Sequence, residues 1–280
     1  LFRSPGATAV DQNDQSISVT VDGSVDVFNT GTYTLIYTAR DSADNVAVPV
    51  TREVHVVDEN FKYLDYYSDG EEVLITDCDT LVFGELLIPS YIEGLPVTGI
   101  GSNAFADCVR VKSIILPEGL TNIQSEAFRN CHSLQSIAIP EVGVTHIGMG
   151  AFADCHALKT VPLPVSLSRI GGNAFADCEA LEVMSIPEGL DVIPWGLFVG
   201  CKNLKEVNLP STLEYIESSA FEGCHSLDSI TIPASVKEIQ DWVFYDCNSL
   251  VEIIFEGNAP RNFENLFEGI SADAKVSENS

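Results

Sequence analysis

Seven of the eight cysteines recur at a nearly constant spacing, and thiols at fixed intervals could form disulfides or hold a metal. They are Cys108, Cys131, Cys155, Cys178, Cys201, Cys224 and Cys247, in steps of 23 residues with one step of 24. A column of thiols on stacked coils would give every neighbouring pair the same geometry, so no disulfide pairing is singled out. The short C-x-x-C clusters of zinc sites are missing. We therefore predict buried, unpaired thiols, and the same for Cys78 outside the column.

Polar side chains beside these cysteines are the next candidates for chemistry. Three histidines, His132, His156 and His225, directly follow a repeat cysteine, and the first two should stack on adjacent coils. A metal could bridge that pair, but we favour a solvated turn position. The residue before each cysteine is Asp107, Asn130, Asp154, Asp177, Gly200, Gly223 or Asp246. Because Asx and Gly tolerate turn conformations, we predict turns here, with a Ca²⁺ bridge between Asp154 and Asp177 as the alternative.

The sequence contains no catalytic motif that we recognise. It has no G-x-S-x-G, no H-E-x-x-H, no P-loop and no G-x-G-x-x-G. We therefore predict a protein that is not an enzyme.

The charge balance excludes some partners. With 14 basic and 41 acidic residues, the formal net charge is −27. Phosphate binding needs clustered Lys and Arg, so nucleic acid is excluded as a partner. The acidity fits either a soluble exported protein or one that attracts a cationic partner or Ca²⁺. No apolar run approaches the roughly 20 residues of a membrane span, so we expect no membrane insertion. We expect a mature fragment, with any signal peptide or anchor outside it.

A repeat of 23 residues positions all these side chains. Its skeleton is I-x-x-x-A-F-x-x-C-x-x-L-x-x-I-x-I-P-x-x-L-x-x, and such a period indicates a solenoid whose coils bury their apolar edges against each other. An apolar run that ends at a proline, as before Pro140, predicts a strand of a parallel sheet. A second inward segment follows, as at Leu167 and Ile170. The pair Ala174-Phe175 predicts a short helical or 3₁₀ turn on the outer side. Pro162 lies within a predicted strand and should lose one ladder bond, at about 1 kcal/mol.

This skeleton closely resembles the BspA-type leucine-rich repeats of bacterial surface proteins. The resemblance covers roughly residues 86–256, where A-F-x-x-C-x-x-L and the I-P or L-P ending recur together. It implies a curved solenoid displayed at a cell surface for adhesion or recognition, and it supplies no catalytic residues.

The first 57 residues have a different character, rich in Thr, Val and Asp. Gly31–Thr38 and Val46–Val57 predict strands, and Asp41–Asn45 predicts a tight turn between them. Together with Pro5–Ala9, this segment resembles bacterial immunoglobulin-like modules, although the sandwich lacks strands at its start. Weak candidates for Ca²⁺ ligands are Asp11, Asp14, Asp41 and Asp44. Two polar turns without an ion would give the same pattern.

The predicted fold is therefore mostly β with short helical turns. It comprises an immunoglobulin-like module over 1–57, a hairpin cap and entry half-repeat over 58–97, a leucine-rich repeat solenoid with a closing turn over 98–270, and a frayed tail over 271–280.

Two outward columns of the solenoid form the predicted binding face. One column is nearly uncharged and the other gathers three lysines. The face residues are Lys112, Ile115, Gln135, Ala138, Lys159, Ser185, Lys205, Asn208, Asp228 and Thr231, with Trp195 and Trp242 as exposed aromatic candidates.

We predict a non-catalytic bacterial protein, extracellular or on the cell surface, that binds an extracellular protein or a glycan. We expect no cofactor, with Ca²⁺ in the first module as a weak alternative, and we favour a monomer. Two alternatives stay open: a structural stalk or spacer, and the targeting region of a larger extracellular enzyme.

Overall fold

The computed structural model describes residues 9–10, 16–17, 19–23, 31–40, 46–56, 63–258, 270 and 274–278. The chain divides into two compact units, residues 1–59 and 60–280. All regular elements in the described residues are β-strands, numbered β1 to β23 along the chain.

The described residues of the first unit form two small antiparallel sheets. β1 (Ala9–Val10) pairs with β2 (Ser16–Ile17). β4 (Gly31–Ala39) lies between β3 (Val19–Asp22) and β5 (Val50–Val56).

Both strands predicted for the first unit are present. In β4, Leu35, Tyr37 and Ala39 alternate as buried residues, as a half-buried strand requires. The second strand begins four residues later than predicted, since Val46 forms only an isolated bridge to Arg40. The turn over 41–45 and all four weak Ca²⁺ candidates, Asp11, Asp14, Asp41 and Asp44, lie outside the described residues.

The second unit begins with the predicted hairpin. β6 (Leu64–Ser68) pairs antiparallel with β7 (Val73–Cys78). β7 then pairs in parallel with β10 (Leu95–Ile100), so the hairpin covers the first coil. β9 (Tyr91–Ile92) pairs with the start of β10.

Two parallel ladders run through the coils. Ladder 1 holds six strands that precede the repeat prolines: β8 (Gly84–Leu87), β11 (Val111–Ile115), β13 (Ser136–Ala138), β16 (Val183–Ser185), β18 (Glu206–Asn208) and β20 (Ser229–Ile232). It continues with β22 (Glu252–Phe255) and β23 (Lys275–Glu278), which do not end at a proline. Ladder 2 holds β7, β10 and the short strands β12 (Asn122–Ile123), β14 (His146–Ile147), β15 (Arg169–Ile170), β17 (Val192–Ile193), β19 (Tyr215–Ile216) and β21 (Glu238–Ile239). Where strands pair, equivalent residues lie one coil apart, as Ile123 pairs with Ile147 and Ile147 with Ile170. Ladder 2 has one break, because β15 and β17 do not pair. The predicted solenoid is confirmed.

Ladder 1 is interrupted in the coil of Pro162. We predicted a strand around this proline, but the coil forms only an isolated bridge between Thr160 and Ser136. In the register of the neighbouring coils, residue 162 should donate its N–H to the carbonyl of Ile137. Proline has no N–H to donate, so the ladder stops there.

Identical residues stack in columns through the core. The phenyl rings of Phe152 and Phe175 lie 5.4 Å apart and are tilted by 6°. All seven repeat phenylalanines are fully buried: Phe105, Phe128, Phe152, Phe175, Phe198, Phe221 and Phe244. All eight cysteines are buried and free, as predicted.

A sharp turn carries each Ala-Phe pair. The residue before each repeat cysteine has a positive φ between 55° and 72°, which confirms the turn predicted for the Asx and Gly column. Around Phe175, Ala176 donates its N–H to Asn173 and Cys178 donates to Phe175, the i to i+3 bonds of a 3₁₀ turn. Left-handed Asn173 and Asp177 keep the turn from becoming a helix. The turn predicted for the Ala174-Phe175 pair is therefore present, and both side chains are fully buried.

The frayed tail predicted over 271–280 is wrong for residues 275–278. These form β23, which pairs in parallel with β22 from Lys275 beside Glu252 to Glu278 beside Phe255. The edge of β22 offers unpaired N–H and C=O groups, which a following segment can satisfy.

Candidate functional site

The strands of ladder 1 expose one face of the solenoid. In β13, Ile137 is buried while Ser136 and Ala138 are exposed. In β18, Val207 is buried while Glu206 and Asn208 are exposed. Because the coils stack in register, each exposed position repeats as a column across the face.

The predicted face residues are all exposed. The structure places on the outside Lys112, Ile115, Gln135, Ala138, Lys159, Ser185, Lys205, Asn208, Asp228 and Thr231. Leu167 and Ile170, which we predicted to face inward, are buried.

Sequence analysis missed a third column, which lies between the two predicted ones. Its members are Ser113, Ser136, Thr160, Val183, Glu206, Ser229 and Glu252, and all but the half-buried Ser113 are exposed. The period-two alternation of each strand was the signal that could have identified it. This column adds carboxylates to a face that we described as small and partly basic.

The face deepens into a groove of about 620 Å³ between β18 and β20, which we call the β18–β20 groove. Four predicted face residues meet there: Lys205, Asn208, Asp228 and Thr231. The other polar lining residues are Glu188, Glu206, Ser211, Ser229 and Glu256.

The groove coincides with an opening in ladder 1. β18 pairs with β16 and β20 pairs with β22, but β18 and β20 do not pair with each other. At the same level ladder 2 is continuous, since β19 pairs with both β17 and β21. The rings of Phe198 and Phe221 also remain stacked at 5.6 Å. The opening is therefore confined to the exposed face, over an intact core.

One lysine of the face, Lys205, forms an ion pair with a carboxylate of the preceding coil. Lys205 Nζ lies 2.9 Å from Oε2 of Glu182, one coil earlier. That hydrogen bond, with a smaller contribution from the charge of Lys159, lowers the pKa of Glu182. The positive stripe expected from the sequence is thus partly neutralised where it meets the groove.

The carboxylates of the groove have only neutral partners among the described residues. Glu188 accepts hydrogen bonds from the N–H (3.1 Å) and the hydroxyl (3.0 Å) of Ser211, which lower its pKa. Glu206 accepts a bond from Asn208 Nδ2 at 3.0 Å, and Asp228 accepts one from Ser229 Oγ at 3.0 Å. No Lys or Arg that the structure describes forms an ion pair with these groups.

Trp195 lies outside the groove and packs against Gly172. A Cβ placed on Gly172 would lie 2.4 Å from both Cε2 and Nε1 of its indole, so only glycine leaves room for the ring. The backbone N–H of Trp195 donates to Glu217 Oε2 at 2.9 Å. The residue is 47% exposed, so part of this fixed ring faces solvent.

Trp242 occupies a turn position whose backbone is left-handed in every coil from Asn103 onward. Its φ is 61°, in the left-handed region, where other coils place Asn103, Asn173 or Gly196. A bulky residue with positive φ is an outlier, and its side chain is 52% exposed. Neither tryptophan lines the β18–β20 groove.

The histidine pair stacks as predicted. The rings of His132 and His156 lie 4.9 Å apart, tilted by 13°. Nδ1 of His156 lies 2.9 Å from the carbonyl oxygen of Asp177. Imidazole lone pairs lie in the ring plane, so parallel rings do not aim at one ion at the roughly 2.1 Å of a metal–nitrogen bond. This geometry favours the turn interpretation over a bridging metal.

The described residues offer no other constellation for chemistry. They contain no group of three or more His, Cys, Asp or Glu that could hold a metal. Burial raises the pKa of the Cys178, Cys201 and Cys224 thiols well above the ordinary value, which suppresses the reactive thiolate. Within the same residues, no helix has the length and apolarity to cross a membrane.

Two sequence families match the chain. The BspA type leucine rich repeat region matches residues 98–224 and 169–276, in six copies. The Ig-like domain of bacterial surface proteins matches residues 1–56. No curated protein matches the chain.

Solved structures of bacterial repeat proteins are similar. A leucine rich cell surface protein from Faecalibacterium prausnitzii A2-165 is 31% identical, with a TM-score of 0.66 over 75% of this chain. This chain spans 56% of that protein's length. A leucine rich repeat protein of T. pallidum is 29% identical, with a TM-score of 0.61, over 68% of this chain and 88% of its own.

Proposed function

This chain belongs to the BspA-type leucine-rich repeat proteins, and from that premise we propose that it recognises an extracellular protein or a glycan through the exposed face of ladder 1. The family suggests a surface or recognition role. Binding would take place at the bacterial surface or outside the cell, without catalysis.

The β18–β20 groove is the observation that carries this proposal. It is concave, polar and open, and it brings residues of four successive coils into one site. Ligand sites are concave with a few convergent polar groups, and the columns on either side extend the contact area. The stacked core beneath holds these groups in place before a ligand arrives. Binding would then cost little ordering entropy.

The test is an array of extracellular-matrix proteins and glycans probed with the purified chain. A groove variant carries Asn208→Arg and Thr231→Arg, two exposed positions where long side chains would obstruct the groove. A control variant carries Thr121→Arg and Ser168→Arg, which add the same charge beside ladder 2.

We expect a specific partner that the wild type and the control bind and the groove variant does not. Equal binding by all three would move the site away from this groove, for example to Trp195 and Trp242. Absence of any partner on the array would favour the stalk or spacer alternative. Capture through residues 1–56 alone would contradict a role for the solenoid face.

A further inference from the structure

Uncompensated negative charge distinguishes the β18–β20 groove from the rest of the face. Four of its lining residues are carboxylates, namely Glu188, Glu206, Asp228 and Glu256. Its one basic residue, Lys205, is already paired with Glu182 at 2.9 Å. The groove therefore carries an excess of negative charge within a chain whose formal net charge is −27.

The residues that line the groove indicate what kind of ligand fits it. No Phe, Tyr or Trp lines the groove, so it offers no aromatic ring on which a sugar could stack. Val207, Leu209 and Ile230 contribute the apolar part, and Asn208, Ser229 and Thr231 add amide and hydroxyl groups. Such walls suit a chain that alternates charged with small polar side chains.

We propose that the β18–β20 groove receives an extended peptide segment whose basic side chains, arginine above all, contact Glu206, Asp228 and Glu256. This inference rests on the proposed function and names the chemistry of its partner. Arginine fits because its planar fork can donate two hydrogen bonds to one carboxylate.

Several carboxylates must act together in this site. Each single pair would be weak because the groove is open and water screens exposed charges. Glu206, Asp228 and Glu256 lie on three successive coils, so they would contact several side chains of one extended strand at the same time. The field of the whole chain would draw the basic segment in, and added salt would weaken that attraction.

A labelled nonapeptide that alternates arginine with serine is the direct probe. Its counterparts alternate glutamine with serine and glutamate with serine. Fluorescence anisotropy of the whole chain with each peptide, at low and high salt, measures affinity and its salt dependence. We expect binding of the arginine peptide alone, weakened by salt.

The decisive comparison uses two variants of equal charge. The neutralised groove variant carries Glu206→Gln, Asp228→Asn and Glu256→Gln. Removal of three negative charges takes the formal net charge from −27 to −24. Glu188 is kept because Ser211 already holds it through two hydrogen bonds.

The control variant neutralises three exposed carboxylates of earlier strands and coils. Asp65→Asn, Glu118→Gln and Glu141→Gln give the same net charge of −24 and leave the groove intact.

We expect the neutralised groove variant to bind the arginine peptide about tenfold more weakly than wild type. The control of equal net charge should bind it like wild type. Equal weakening in both variants would reduce the effect to the general field of an acidic protein and overturn the inference. Failure of wild type to bind the arginine peptide would also overturn it. If the array then yielded a glycan that the Arg-blocked groove variant loses, recognition through this face would stand and only the basic-peptide inference would fail.

Discussion

The thiol of Cys178 lies 3.2 Å from the carbonyl oxygen of Phe152, one coil earlier in the solenoid. The same contact recurs up the column, as between Cys201 and Phe175 at 3.1 Å. Each thiol is thus a small buried hydrophobe that also donates a weak hydrogen bond across coils. This relationship gives the repeated cysteine a structural reason that needs neither a disulfide nor a metal.

We expect the thiols to be unreactive in the folded protein. Burial keeps them from reagents and raises the pKa of Cys178, so the thiolate is scarce. An aromatic disulfide reagent at mildly alkaline pH should modify cysteines only as fast as the chain unfolds. The same protein in denaturant should react fully. Rapid modification of several thiols without denaturant would contradict their placement in the core.

The phenylalanine column should dominate the stability of the coils. Phe175 is fully buried and stacks between Phe152 at 5.4 Å and Phe198 at 5.8 Å. Phe175→Ala should cost about 3–5 kcal/mol, as large truncations in packed cores do. Lys159→Ala, on the exposed face, should change stability by less than about 0.5 kcal/mol. Urea unfolding of both variants would show the difference, and equal losses would invert our inward and outward assignment.

Much of this fold is predictable because residues at the same repeat position occupy the same place in every coil. The 23-residue period fixes which residues share a column, so the buried Phe175 and Cys178 follow from sequence alone. The left-handed turn at Asp177 follows as well, since Asx and Gly recur there.

The candidate groove was not predictable in the same way. It depends on whether β18 and β20 pair across one gap, and both strands end at a proline just as the paired β16 does. The column that holds Glu206 escaped notice because only strand alternation, and no shared residue type, marks it. The strand at Lys275–Glu278 was missed because it lacks the repeat skeleton and pairs only through the edge of β22.

Gly172 should control the environment of Trp195. A methyl group at residue 172 would lie 2.4 Å from two indole atoms, so Gly172→Ala must push the ring outward. In a Trp242→Asn background, Trp195 is the sole tryptophan of the chain. Its emission should then move to longer wavelength, and overpacking should cost about 1–3 kcal/mol. Gly189→Ala, where the turn is open to solvent but φ is 99°, controls for backbone effects and should leave the emission unchanged.

Trp242 should be a site where a smaller residue stabilises the protein. Its φ of 61° is unfavourable for a bulky side chain, and left-handed backbone costs about 1–2 kcal/mol for ordinary residues. Asn accepts this conformation, as Asn103 does at φ 60°. Trp242→Asn should therefore gain about 0.5–1 kcal/mol in urea unfolding.

The matched change Trp195→Asn distinguishes the effect of backbone strain from the effect of losing the packing of an indole ring. Trp195 has no left-handed backbone to relieve and covers Gly172, so its loss should destabilise the protein. If Trp242→Asn also destabilised the protein, the contacts of the Trp242 indole would stabilise the fold by more than the left-handed backbone destabilises it.

Asp177 should make stability depend on pH in an unusual direction. Burial, and next the charge of Asp154, raise the pKa of this carboxyl. The folded state then binds the proton more tightly than the unfolded state, whose pKa is about 3.9. Between the unfolded pKa and the raised folded pKa, stability falls as pH rises, and above that window the full cost of the charged form remains.

Asp177→Asn removes that cost and keeps the turn, since Asn130 takes the same left-handed conformation at φ 61°. The variant should therefore be more stable than wild type at neutral pH, and the gain should vanish below the unfolded pKa. Urea midpoints across the acid range measure both limits. Asp191→Asn removes an equal charge from an exposed site and controls for net charge. If Asp177→Asn destabilised the protein at neutral pH, the carboxylate would have to stabilise the turn by more than burial and Asp154 cost it.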